Sequence, residues 1–253
     1  MRFLAGVFFV LIVCGIVGCS GSNDVNSMLK LSMQQAMAGQ WKNSLNLAED
    51  VLAEDKTNID ALLLRAVAAD NLDQHDVAID SALQAVKINP DNFVALYTIG
   101  RLYSKENMRL SDAISYLEKA HNLNPNDINT LILLANNSIK LRSAKSRIYL
   151  SKLSSLDGAY ASDAVYLNML GCANIFNNNL KEAGKNIVAA YNCDKLVKDP
   201  IITYNLAVLF DSYYKRSQNA VGYYNKFLEL AAKNPAYADM KSEVTARLKK
   251  INR

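Results

Sequence analysis

Apolar residues recur along this chain at helical spacing, in blocks of about a dozen residues separated by short polar breaks carrying Asn, Asp, Gly or Pro. A second periodicity lies over the first. The small residues Ser32, Ala66, Gly100, Ala135, Gly171 and Ala207 follow one another at intervals of 34, 34, 35, 36 and 36. Ser44, Ala78, Ala113, Ala183 and Ala220 form a second series, and Val51, Ala85, Ala120, Ala190 and Phe227 a third seven residues further on. Asn89-Pro90 and Asn124-Pro125 close the second and third units. A small side chain at a fixed place in successive helices is what two helices need to cross closely, while the bulkier neighbours bury against the next pair. The pattern predicts about six antiparallel helical hairpins over residues 26–235 and essentially no sheet.

Two places depart from the period. In the fourth unit, about residues 128–160, the second helix (Ala144 to Leu156) shows no clear small-residue series, so its register is ambiguous by about three residues. At the end, Met240, Val244, Leu248 and Ile251 make one apolar stripe with Lys241, Arg247, Lys249 and Lys250 elsewhere, which predicts a capping helix over 236–253. Asp199-Pro200 reads as a helix start, and Ser111-Asp112 and Ser162-Asp163 supply capping chemistry before Ala113 and Ala164.

The segments Ala95-Leu-Tyr-Thr-Ile-Gly100-Arg-Leu-Tyr103 with Ala113-Ile-Ser-Tyr-Leu-Glu-Lys-Ala120, and Tyr166-Leu-Asn-Met-Leu-Gly171 with Leu180-Lys-Glu-Ala183, resemble the tetratricopeptide repeat. Trp41 and Leu180 fill the bulky slot that opens the second helix. The resemblance implies an all-α, right-handed solenoid that binds proteins or peptides without catalysis. It also implies that the first helix of each hairpin lines a groove. By register the groove candidates are Leu63, Val67 and Asp70, then Tyr97, Arg101 and Lys105, then Asn129, Ile132 and Asn136, then Asn168, Cys172 and Ile175, then Tyr204, Val208 and Asp211. Their mixture of apolar, amide and aromatic groups suits an extended or helical peptide, since an amide satisfies backbone donors and acceptors together. The carboxylate clamp of chaperone-binding members is missing, because its positions hold Leu29, Met33, Leu64, Val94 and Thr98.

The first residues follow different rules. Arg2 precedes an apolar run from Phe3 to Val17, shorter than the roughly 20 residues a membrane span needs. Ile16-Val17-Gly18-Cys19 then resembles a bacterial lipobox. That resemblance implies a signal peptide over 1–18, lipidation of Cys19, a short tether over 19–25, and, with Ser20 rather than Asp after the cysteine, the periplasmic face of an outer membrane. Two or three acyl chains anchor stably where one is marginal. Cys172 and Cys193 remain; the register sets them about 10 Å apart along their hairpin, too far for a disulfide.

The chain has 253 residues and a net charge of +4, too small a balance to argue for nucleic acid. The distribution says more. Residues 44–92 hold ten acids and three bases, whereas 93–253 hold thirteen acids and 22 bases. Between Ile128 and Leu156 stand Lys140, Arg142, Lys145, Arg147 and Lys152 with no acid. This basic patch is expected to face an anionic partner. His75 and His121 occupy ordinary repeat positions, and no phosphate loop, nucleophile elbow or metal-ligand spacing occurs, so no catalytic residue, metal site or cofactor is expected.

The expectation is therefore a scaffold or assembly factor held at the bacterial envelope through Cys19, with other envelope proteins or peptides as partners. Its plan, a lipobox followed by about six repeats, resembles the type IV pilus pilotin lipoproteins and, more broadly, the repeat subunit of outer-membrane assembly. Regulation of a peptidoglycan enzyme by binding it is the alternative of a different class.

Overall fold

A computed structural model describes residues 23–105, 109–193 and 199–252. The leader expected over 1–18 and Cys19, the expected site of lipidation, lie outside them. Among the described residues the regular structure is helical throughout. The helices are α1 (Asn23–Met37), α2 (Trp41–Glu54), α3 (Ile59–Asn71), α4 (His75–Ile88), α5 (Phe93–Lys105), α6 (Leu110–Leu123), α7 (Ile128–Lys140), α8 (Lys145–Leu156), α9 (Ala164–Phe176), α10 (Leu180–Cys193), α11 (Pro200–Val208), α12 (Ser217–Leu230) and α13 (Ala238–Ile251). Odd-numbered helices up to α11 are the first helices of the units, and even-numbered ones the second. Because α1 starts at Asn23, the last residues expected to belong to a tether are already helical.

The described residues fall into two compact units, one ending at Leu133 and the other beginning at Leu134. In the first, α1 packs on α2, α3 on α4 and α5 on α6, and the first helices α1, α3 and α5 also touch in sequence. In the second, α9 packs on α10 and α11 on α12, with α13 against α12. Every member of the three small-residue series is buried. At Gly100 an added Cβ would stand 2.6 Å from Cγ of Leu117, and at Gly171 it would collide with Cγ1 of Ile187. In the first hairpin the small pair is polar, and Ser32 Oγ donates to the carbonyl of Ser44 at 2.8 Å.

In the fourth unit the second helix keeps the spacing of its buried face and loses the small-residue signature. Helix α8 buries Ser146, Leu150 and Leu153, spaced as Ala113, Leu117 and Ala120 of α6, and Tyr149 beside them. The small-residue slot is therefore Ser146. It falls on the second residue of its helix instead of the fourth, which is why the register was ambiguous in sequence.

Two devices punctuate the units. Each first helix from α3 to α11 starts at a side-chain cap: Asn58 accepts from the amide of Ala61, Asn92 from Ala95, Asp127 from Thr130, Asp163 from Tyr166 and Asp199 from Ile202. Capping satisfies amides that a helix start leaves unpaired. The expected cap at Ser111-Asp112 is not one. Helix α6 already begins at Leu110, and Asp112 lies in its first turn with Arg109 Nε at 3.3 Å. The turns inside the hairpins use left-handed residues, Gly39, Asp73, Arg142, Asn178 and Lys215, with φ between 53° and 72°. Five-residue closures such as Gln40 N–H to Gln35 C=O satisfy the last carbonyls of the helix.

Candidate functional site

The first-helix faces do not present the expected groove residues equally. In unit 1, Leu63 and Val67 are only 5% and 8% exposed, which corrects their placement on an open surface. Leu63 is packed with Leu62, Ala85 and Ala95, because α3 has a first helix on either side. Tyr97 is half-buried and stacks on Phe93, and burial raises its hydroxyl pKa. Asn129 is half-exposed.

Arg101 and Lys105 belong to a charge cluster rather than to a row of open side chains. Arg101 Nη1 lies 2.9 Å and Lys105 Nζ 2.6 Å from Oδ2 of the buried Asp70, and His75 Nδ1 lies 3.6 Å from its Oδ1. Burial opposes the charge on Asp70, but hydrogen bonding from Lys105 and the field of Arg101 overcome it, so the carboxyl stays below its ordinary range. Asp70 on α3 is thus held by α5.

Unit 2 repeats this device at its end. There α11 passes into a single π-helical turn, Leu209–Tyr213, which carries Asp211. Such wide turns commonly displace a side chain at a functional position. Asp211 is buried, and Arg247 of α13 meets it with two bonds of 2.7 Å, Nε to Oδ2 and Nη2 to Oδ1. Tyr224 donates to the same carboxylate at 3.0 Å. The hydrogen bonds from Arg247, ahead of those from Ser217 and Tyr224, bring the Asp211 pKa down to about 2 against the opposing effect of burial. Asp70 and Asp211 both sit four residues after the small residue of their helix, and Lys105 and Arg247 reach back from the next one. Helix α13 thus takes the place of a further first helix.

Beside that ion pair opens a cavity of about 290 Å³ between α11, α12 and α13. Tyr204, Val208 and Ser212 form one wall, and Glu243, Arg247 and Lys250 another. Tyr204 lies within reach of Glu243, hydroxyl to Oε1 at 3.4 Å, and burial followed by that carboxylate pushes its pKa up to about 12. The cavity therefore offers an aromatic and aliphatic floor under a rim of both charge signs. A second cavity, also about 290 Å³, lies among α2, α3 and α4 and is lined by Glu49, Leu52, Lys56, Arg65 and Gln84, none of them a groove candidate.

The remaining candidates in unit 2 divide. Asn136 is half-exposed, as expected of a contact residue. Asn168 is buried, and its Oδ1 accepts from Nδ2 of Asn205 at 3.0 Å, so its amide is committed internally. Asn205 also donates to Sγ of Cys172, whose thiol burial raises to about 11. Cys172 and Cys193 are free thiols. Sequence reasoning missed Asn205 and the acid–base links; the available signal was the return of Asp four residues after Ala66 and Ala207 with a base about one repeat later. In the basic patch Lys140, Arg142, Lys145 and Arg147 are exposed and Lys152 half-exposed, and Arg142 sits 5.7 Å from the ring centre of Phe176. Among the described residues no group of three or more His, Cys, Asp or Glu is placed to hold a metal ion. No helix among them is long and apolar enough to cross a membrane.

Helix pairs with small residues at each crossing, stacked through their first helices, define an α-solenoid of the tetratricopeptide type. Residues 59–92, from the start of α3 past the end of α4, match the tetratricopeptide repeat family model. The chain is 30% identical over 86 residues to Superkiller complex protein 3 of Homo sapiens, which covers 34% of this chain and only 6% of that protein. Among solved structures it is similar to PilW, described as a widely conserved type IV pilus biogenesis factor, with a TM-score of 0.66 and 16% identity over 92% of this chain and 100% of that one. It is also similar to pilF of Pseudomonas aeruginosa, with a TM-score of 0.61 and 14% identity over 87% of this chain and 97% of that one. Identities this low establish a shared fold.

Proposed function

We propose that this chain is a non-catalytic scaffold that holds other proteins at the bacterial envelope, anchored by lipid on Cys19 and facing the periplasm from the outer membrane. The observation that carries the binding role is the cavity at α11–α13. There the half-buried Tyr204 and Val208 lie beside charged groups of both signs. A peptide laid on such a face buries apolar side chains against Tyr204 and Val208 and satisfies its polar groups at Ser212, Glu243 and Lys250. Tyr97, Asn129 and Asn136 are the further contact residues we assign.

The finer reading is assembly of a type IV pilus, as a pilotin-like factor. It is supported by the near full-length correspondence with PilW in both directions. The lipobox-like Ile16-Val17-Gly18-Cys19 supports the anchor. A photo-crosslinking residue placed at Tyr204 in intact cells tests the site. The expected product is a defined adduct with an envelope protein, lost when Val208 is changed to Glu. Adducts that are unchanged by Val208→Glu would refute this cavity as the contact. Palmitate incorporation tests the anchor separately, and labelling that persists in Cys19→Ala would remove it.

A further inference from the structure

The face of α8 that points away from its own core is unlike an ordinary solvated helix face. Tyr149, Leu150 and Leu153 are buried, yet Ile148 is 66% exposed on the other side. Leu141, in the turn before α8, is 43% exposed. The exposed Arg142 adjoins Leu141 and the exposed Arg147 adjoins Ile148 in sequence, the half-exposed Lys152 lies one turn on from Ile148, and among the described residues Arg147 and Lys152 have no ion-pair partner. No acid occurs between residues 128 and 156 to neutralise them. Exposed apolar side chains beside cations call for a complement that is acidic and carries an apolar element.

The chain itself carries such a complement in its other unit. On α4, Asp76, Asp80, Gln84 and Ile88 follow at intervals of four and so lie on one stripe. All four are exposed, with Ile88 at 42%, and among the described residues Asp76 has no partner while Asp80 accepts only from Gln84. Asp50 and Glu54, exposed on α2 and likewise without ion pairs, extend the acidic surface. We propose that the basic, apolar face of α8 in one copy docks on the acidic α2–α4 face of a second copy. The two faces are different patches of one chain, so each contact pairs the basic face of one copy with the acidic face of another. Opposite charge on the two faces speeds encounter and sets the register, while Ile148 and Ile88 supply apolar surface to bury. This goes beyond the scaffold reading and is independent of which envelope protein is held.

Sedimentation velocity of the full-length protein, extracted from its host in mild detergent, tests the proposal. The expected result is concentration-dependent association that weakens about tenfold or more between roughly 0.05 and 0.5 M salt, as screening shortens. The variants Arg147→Glu/Lys152→Glu and Asp76→Lys/Asp80→Lys should each sediment as monomers with unchanged helical circular dichroism. Mixing the two should restore association, because the reversed faces then attract each other. If reversal harms folding, Arg147→Gln/Lys152→Gln tests the same face by neutralisation. A wild-type protein that stays monomeric at about 100 μM, or variants whose mixture stays monomeric, overturns the proposal. So does a monomer that instead binds anionic vesicles through Arg147 and Lys152.

Discussion

Lys215 closes the turn between α11 and α12 at φ 55°, a left-handed conformation in which its Cβ crowds the backbone. Gly39 takes the corresponding place in the first hairpin without that crowding. Lys215→Gly should therefore stabilise the protein by about 0.5–1 kcal/mol, the relief of strain exceeding the added freedom of the unfolded chain. Urea titration reads the shift. The opposite sign is expected at Asp199, whose carboxylate accepts from the amides of Ile201 and Ile202. Asp199→Ala leaves those amides unpaired at the start of α11 and should cost about 1 kcal/mol by the same titration. The starts of α9 and α11 were legible in sequence because Asp163 and Asp199 sit directly before apolar runs. Asn58, Asn92 and Asp127 do the same work unseen, since each lies in a loop where turn chemistry explains an Asn or Asp equally well.

Between elements, close approach and charge carry the contacts. At Gly171 an added methyl group meets Cγ1 of Ile187 and lies 3.2 Å from the Ile187 amide nitrogen, so α9 and α10 must move apart. Gly171→Ala should cost about 1–3 kcal/mol, and shortening Ile187 to Ala in the same chain should recover part of the clash while opening its own void. A double-mutant cycle by thermal unfolding measures that coupling. This level was the most legible one, because a small residue every 34 to 36 positions has few explanations other than helix crossing. Helix α8 escaped because its one small contact, Ser146, is polar, shifted toward the helix start and followed seven residues on by Leu153 where α6 has Ala120. The groove was half legible for a related reason. Register says which face of a helix a residue occupies, but the neighbouring first helix decides whether that face stays open, and it covers Leu63 and Val67. The same closeness puts Asp70 against Arg101 and Lys105, pairs made by residues 31 and 35 positions apart that no local pattern announces.

Over the whole molecule, the stability of a stacked array is a sum of units and nearest-neighbour contacts, so damage at one end should remain there. The end is sealed by α13. Val244 and Leu248 complete the cluster of Tyr224, Phe227 and Ala231, and Arg247 neutralises Asp211. The Asp211 carboxyl has its pKa lowered from 3.8 to about 2 on folding, so its charge stabilises the fold fully above about pH 4 and loses that contribution as the pH falls through 2. The contribution is about 2 kcal/mol, reduced from the full linkage value because the Arg247 side chain is 43% exposed and water screens the pair. Arg247→Gln should therefore lower stability at pH 7 and flatten its fall between pH 4 and 2, while removing residues 238–253 should do this and also open the apolar surface of α12. Hydrogen exchange locates the consequence. In both variants the amides of α11 and α12 should exchange faster, with the truncation much the more severe, while those of α3 to α6 keep their protection. Acceleration spread evenly over α3 to α12 would mean that the chain unfolds as one cooperative block, and that α13 stabilises more than the hairpin it covers.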